Sequence, residues 1–195
     1  MQINIDKKTA VLSGVIIALI AVIITMGVSK TEHRPDHMNH SSISELSGAD
    51  IMFLQMMIPH HQQAVDISEL ALKKSKDAEL LALATSIREG QAEEILLMTQ
   101  WLKDAGEGLD MGHSMHDQMG GMLDEAELAA LQSATGATFD RLWLQGMTGH
   151  HDGALHMTQM IEDATNETIK KFGQEIVSMQ SSQIKQMKVM LQRIS

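Results

Sequence analysis

The sequence predicts an all-α protein, a four-helix bundle made of two repeated helical hairpins and preceded by one N-terminal transmembrane helix. Three observations carry this. The chain holds only 2 Pro in 195 residues and no period-2 stretch, while apolar residues recur at helical spacing over long segments after residue 48. Those segments repeat in register at an offset of 90 residues. The run Ala10–Val28 carries no charge at all.

The elements follow in order. Residues 1–9 are the expected cytoplasmic N-terminus, and 10–29 the expected transmembrane anchor. A helix of this length spans about 28 Å, close to a bilayer core. Lys7 and Lys8 precede the run, so the positive-inside rule leaves the N-terminus in the cytoplasm. The chain is then expected in the cell membrane, single-pass, with its C-terminal domain in the periplasm or outside the cell. The end Gly27-Val28-Ser29 is a poor cleavage site, which favours an uncleaved anchor over a cleaved secretory signal. Residues 30–48 are polar and read as a tether carrying His33, His37, Met38 and His40. The bundle occupies 49–194. Its long helices are expected near 49–74, 77–104, 139–164 and 167–194, with a short helix at 124–133 capped by Asp124. Residues 105–123 are Gly-rich and form a loop.

The repeat supports the pairing of hairpins. Phe53-Leu54-Gln55-Met56-Met57-Ile58-Pro59-His60-His61 aligns with Trp143-Leu144-Gln145-Gly146-Met147-Thr148-Gly149-His150-His151, and the same offset carries Asp50 onto Asp140 and Ala64 onto Ala154. After the turn the offset becomes 89, matching Ile87 to Ile176, Gln91 to Gln180, Ile95 to Ile184, Met98 to Met187 and Leu102 to Leu191. A lone hairpin leaves an apolar face bare, and joining two buries both.

Composition narrows the function. Cys is absent, which excludes disulfides and thiolate metal sites, and with no Tyr and 3 % aromatics, stacking on single-stranded nucleic acid is excluded. A net charge of −10 disfavours nucleic acid as a partner and favours cations. The 17 Met and 10 His are a large excess of thioether and imidazole. Those donors suit Cu(I), Ag(I) and, through imidazole, Cu(II).

At about 100° per residue His60 falls inside the apolar stripe of its helix, with Met57 and Met56 at i−3 and i−4 on the same side. The second half repeats this with His150 and Met147, and His61 and His151 fall at the stripe's edge. His156 and Met157 add further donors to the second half. Pro59 and Gly149 weaken the helix just before each His pair. The plainer reading of His60 and His150 is core histidines satisfied by Gln91 and Gln180, which also lie in apolar stripes. Met52, Met98, Met179, Met187 and Met190 read as core filler. The loop is the sharper signal. Met111, His113, Met115, His116, Met119 and Met122 lie within twelve residues of a Gly-rich loop, where core packing gives no reason for methionine. The plainer reading there is a low-complexity spacer.

The paired M-M-I-P-H-H-x-x-A and G-M-x-x-H-H-x-x-A motifs resemble the bacterial domain-of-unknown-function family numbered 305, over roughly residues 49–194. That resemblance implies a ferritin-like bundle and a copper- or silver-binding role for Met56, Met57, His60, His61, Met147, His150 and His151. The second copy departs from the first, with Gly146 at the place of Met56 and Gly149 at that of Pro59.

The leading expectation is a membrane-anchored extracytoplasmic copper- and silver-binding protein that buffers Cu(I) or hands it to an exporter or chaperone in metal tolerance. It is not expected to be an enzyme. A di-metal carboxylate oxidase needs Glu-x-x-His on two helices, and no Glu here precedes a His by three positions. A copper-dependent oxidase using the His pairs and a metal-free anchored structural or adaptor bundle are the alternatives.

Overall fold

The computed structural model describes residues 45–109 and 119–194, which fall within one compact unit, Asn39–Ser195. These residues are all-α with no strand. Five helices follow one another: α1 Gly48–Lys74, α2 Ala78–Asp104, α3 Glu125–Ser133, α4 Gly136–Met157 and α5 Glu167–Ile194, with a 3-10 segment Thr158–Ile161 after α4. The expected anchor at 10–29, most of the tether, and Met111, His113, Met115 and His116 lie outside the described residues. No described helix is long and apolar enough to cross a membrane.

Helix ends follow local chemistry. Ser47 and Asp50 form a capping box at α1: the Asp50 amide donates to the Ser47 hydroxyl oxygen (3.1 Å) and the Ser47 amide to the Asp50 carboxylate (2.8 Å). Asp77 Oδ1 accepts the Glu79 and Leu80 amides at 3.0 Å and starts α2. Asp124 caps α3, as its sequence predicts, and Glu127 completes a second capping box. The third long helix departs from expectation at both ends. It begins at Gly136, whose φ of +58° suits glycine, and its α-geometry stops at Met157 rather than Ala164. There the Thr158 hydroxyl donates to the Leu155 carbonyl at 2.8 Å, and the backbone tightens into the 3-10 turn.

α1 packs along α2, α4 along α5, and α1 meets α4. Buried Trp143 joins the last pair, its indole N–H donating to the Ile67 carbonyl at 3.0 Å. The apolar core is not continuous. One cluster contains Ala64, Ile67, Ile87, Trp143, Met147, Ile184 and Met187; the other contains Phe53, Met57, Met98, Ala154, Met157, Phe172 and Ile176. Along each long helix the change of cluster falls at a polar stretch: His60–His61 on α1, Gln91 on α2, His150–His151 on α4 and Gln180–Gln183 on α5. All six of the residues His60, His61, Gln91, His150, His151 and Gln180 are buried. A polar layer therefore divides the core.

The expected core methionines divide too. Met98, Met187 and Met190 are buried, whereas Met179 is 44 % exposed and fills nothing.

Candidate metal centre

All four histidines of the two pairs have no solvent exposure. His61 and His151 were expected at the stripe's edge. They are buried because α2 and α5 each bring a polar side chain against them. The His61 Nε2–H donates to Glu94 Oε2 at 2.7 Å, and the His151 Nε2–H to Gln183 Oε1 at 2.6 Å. Glu94 and Gln183 are related by the same offset of 89 that relates the flanking repeat residues. The repeat thus carried the signal for both residues, although neither sits in the motif itself.

The inner two rings meet at the centre. The His60 and His150 ring centroids are 3.8 Å apart with planes inclined at 36°. His61 lies 6.4 Å from His60, and His151 6.3 Å from His150. The His150 Nε2–H donates to the main-chain carbonyl of His60 at 2.9 Å, and the His60 Nε2–H to the Gly120 carbonyl at 3.3 Å. Gln91 and Gln180, the partners expected from sequence, make none of these bonds; their amide nitrogens and oxygens have no hydrogen-bond partner.

The Gly120 carbonyl is placed by close packing of backbone on backbone. Gly121 has φ +83°, and a Cβ on it would strike the Gly149 carbonyl. A Cβ on Gly153 would strike the Gly120 carbonyl. The Gln63 side chain holds the next stretch from the other side: its Nε2 donates to the Leu123 carbonyl at 2.9 Å, and its Oε1 accepts the Leu123 amide at 2.8 Å. Gly146, in the place of Met56, leaves room for Leu123, whose Cδ2 would lie 2.9 Å from a Cβ there. This corrects two expectations. Met119 is buried in the core, and Met122 is half-buried against it, so packing does account for the last part of the loop.

Burial decides the protonation of this layer. Loss of hydration pushes the His60 imidazole down to about 3, helped by the neighbouring His61. Desolvation likewise holds His150 well below the ordinary histidine range and brings His151 to about 4. These three imidazoles are neutral at physiological pH, the form that binds metal.

Each of the four Nε2 atoms faces an oxygen acceptor. Each of the four Nδ1 atoms is buried with no partner. Together with the two glutamine amides, this layer supplies eight of the eleven buried unpaired side-chain atoms among the described residues. Native interiors leave few polar atoms unpaired, so such a concentration marks a place where an ion or water completes the bonding. Among the described residues no three or more His, Asp or Glu side chains form a ready cage. The donors nearest in sequence are thioethers: Met56 and Met57 one turn before His60, and Met147 one turn before His150, all buried. Imidazole with thioether fits copper and silver. Met157 is buried in the cluster that holds Met57, whereas His156 is exposed and stands apart from the layer.

The bundle is thus crossed by a buried layer of imidazole nitrogens, with buried thioethers one helical turn before each inner histidine. The chain belongs to the family described as domain of unknown function DUF305, whose model matches residues 50–191. No curated protein sequence matches it. Among solved structures, it is similar to a putative secreted DUF305 protein from Streptomyces coelicolor (31 % identity, covering 75 % of this chain and 93 % of that one, TM-score 0.70). It is also similar to a DUF305 fragment from Deinococcus radiodurans (32 % identity, 75 % and 97 % covered, TM-score 0.70). A third is CopM in its Cu(II)-bound form (34 % identity, 75 % and 97 % covered, TM-score 0.62). CopM has also been solved bound to Cu(I) and to Ag.

Proposed function

We propose that this chain is a copper- and silver-binding protein that buffers Cu(I), or passes it on to an exporter or chaperone, on the outer side of a membrane to which residues 10–29 anchor it. Its bundle is read as ferritin-like, two repeated hairpins placing one His pair each in the dividing layer. The observation that carries the reading is the set of four buried, partnerless Nδ1 atoms, with buried methionines one helical turn before each inner histidine. CopM, crystallised with Cu(I), Cu(II) and Ag, supports the choice of metal. The proposed bundle ligands are drawn from His60, His61, His150, His151, Met56, Met57 and Met147, with Met157 beside them. Met111, His113, Met115 and His116 of the loop, with Met119 and Met122 at its bundle end, form a weaker collecting segment. Ordering a loop around an ion costs roughly 1–2 kcal/mol per residue, which the helical donors largely avoid. The role is binding and transfer rather than catalysis.

Competition titration of the full chain tests this. Cu(I) and Ag(I) are expected to bind far more tightly than Zn(II), because thioethers select soft monovalent ions. Equal affinities for Zn(II) and Cu(I) would refute a thioether-assisted site. Fractionation tests the anchor: full-length protein is expected in the membrane pellet after a high-salt wash, and a soluble species beginning near Lys30 would refute it.

A further inference from the structure

The two His pairs differ in the charge of the side chain that holds the outer ring. His61 donates its Nε2–H to a carboxylate, Glu94; His151 donates to a neutral amide, Gln183, at the equivalent position. The Glu94 side chain is 15 % exposed, so it reaches from the solvent edge to a fully buried ring. An acceptor at Nε2 fixes the proton there and turns the Nδ1 lone pair free, on the opposite edge of the ring. Glu94 is therefore placed to orient His61 rather than to touch an ion at Nδ1, in keeping with the lack of a three-residue His/Asp/Glu cage among the described residues.

We propose that Glu94 is a positioning residue that locks His61 as a donor through Nδ1, and that its charge strengthens Cu(II) binding at the first His pair more than Cu(I) binding. This rests on the copper-binding reading above. A carboxylate behind a metal-bound imidazole raises its basicity, and the added negative charge stabilises a divalent ion more than a monovalent one. Gln183 supplies the same orientation without the charge. The change of carboxylate to amide thereby alters the charge behind the outer ring while keeping its orientation.

The test uses the full chain with Glu94→Gln, which keeps shape and acceptor oxygen and removes the charge. Nitrogen-15 NMR of the metal-free wild type is expected to show Nε2 protonated and Nδ1 bare in His60, His61, His150 and His151, assigned by single substitutions. The tightest Cu(II) affinity is expected to fall about 10–100-fold in Glu94→Gln, the usual consequence of losing such a partner, while Cu(I) affinity changes much less. Gln183→Glu is expected to strengthen Cu(II) binding at the second pair. The inference is overturned if His61 carries its proton on Nδ1, if Glu94→Gln leaves Cu(II) binding unchanged, or if it weakens Cu(I) and Cu(II) alike. Copper that perturbs none of the four histidines in the wild type would overturn the copper-binding reading and this inference together. Copper that perturbs them, with no altered preference in Glu94→Gln, overturns this inference alone.

Discussion

The His150 ring donates to the main-chain carbonyl of His60 while its face lies 3.8 Å from the His60 ring centroid. The first half of the repeat thus positions the inner histidine of the second, and the centre exists only when both hairpins are docked. Replacing His60 and His150 together by Leu is expected to abolish the tightest copper class, while a Met115→Leu variant of the loop keeps it. Isothermal titration with Cu(I) under a competing chelator reads the difference; the reverse pattern would move the principal site into the loop.

Acid is expected to weaken the metal-free fold. In the unfolded chain His60, His150 and His151 take up protons near pH 6.5; folded, His60 resists until about 3 and His151 until about 4. The unfolded state binds more protons across that window, so stability is full above about pH 6.5 and is lost as pH falls toward about 4. His60 and His151 each contribute up to about 2 kcal/mol of loss between about pH 7 and about pH 5, and His150 acts in the same direction. Urea midpoints over this range check it, and the His60→Leu, His150→Leu double variant is expected to flatten the dependence. Gln183 against His151 is unchanged in that variant, leaving the His151 contribution visible.

Gly153 and Gly149 lie one turn apart on α4 and are expected to respond oppositely to Ala. At Gly153 the new methyl meets the Gly120 main chain, which cannot rotate away, so Gly153→Ala is expected to cost about 1–3 kcal/mol and to disturb the acceptor of His60. At Gly149 the methyl meets nothing within 4 Å, and Gly149→Ala is expected to gain about 0.5–1 kcal/mol from helix propensity. Thermal melts of the two variants separate a close-packed turn from a merely weakened helix.

Gln63→Ala removes both hydrogen bonds to the Leu123 peptide. The loss is expected at roughly 1–3 kcal/mol, local to the 119–124 stretch. Amide hydrogen exchange is expected to quicken at Leu123 while α1 and α2 keep their protection; uniform quickening would show that the clasp supports the whole bundle.

The long helices, the Asp124 cap and the burial of His60 and His150 were legible in the sequence because each rests on local spacing. What faced the histidines was not. Gln91 and Gln180 have the right phase for hydrogen-bonding partners, but the rings pair with main-chain carbonyls, which no side-chain pattern records. Glu94 and Gln183 differ in type, so the repeat hides them from a search for identities and yields them only when the offset is carried through. Gly149 read as a helix-weakening residue; that its carbonyl also backs the Gly121 turn was not legible. Met119 read as an exposed ligand because a Gly-rich loop promises no core, yet the Gly120–Gly121 turn folds its neighbours onto α1 and α4.

The grip of Gln63 on Leu123, with the glycine turn seated on α4, makes the downstream end of the loop a part of the bundle. Chain length upstream of Met119 is then nearly free to vary, since doubling a loop adds only about 0.6 kcal/mol of closure entropy. Inheritance can therefore lengthen that stretch, shorten it or change its content of methionine without rebuilding the interior, so the composition of the loop is adjustable apart from the buried histidine layer.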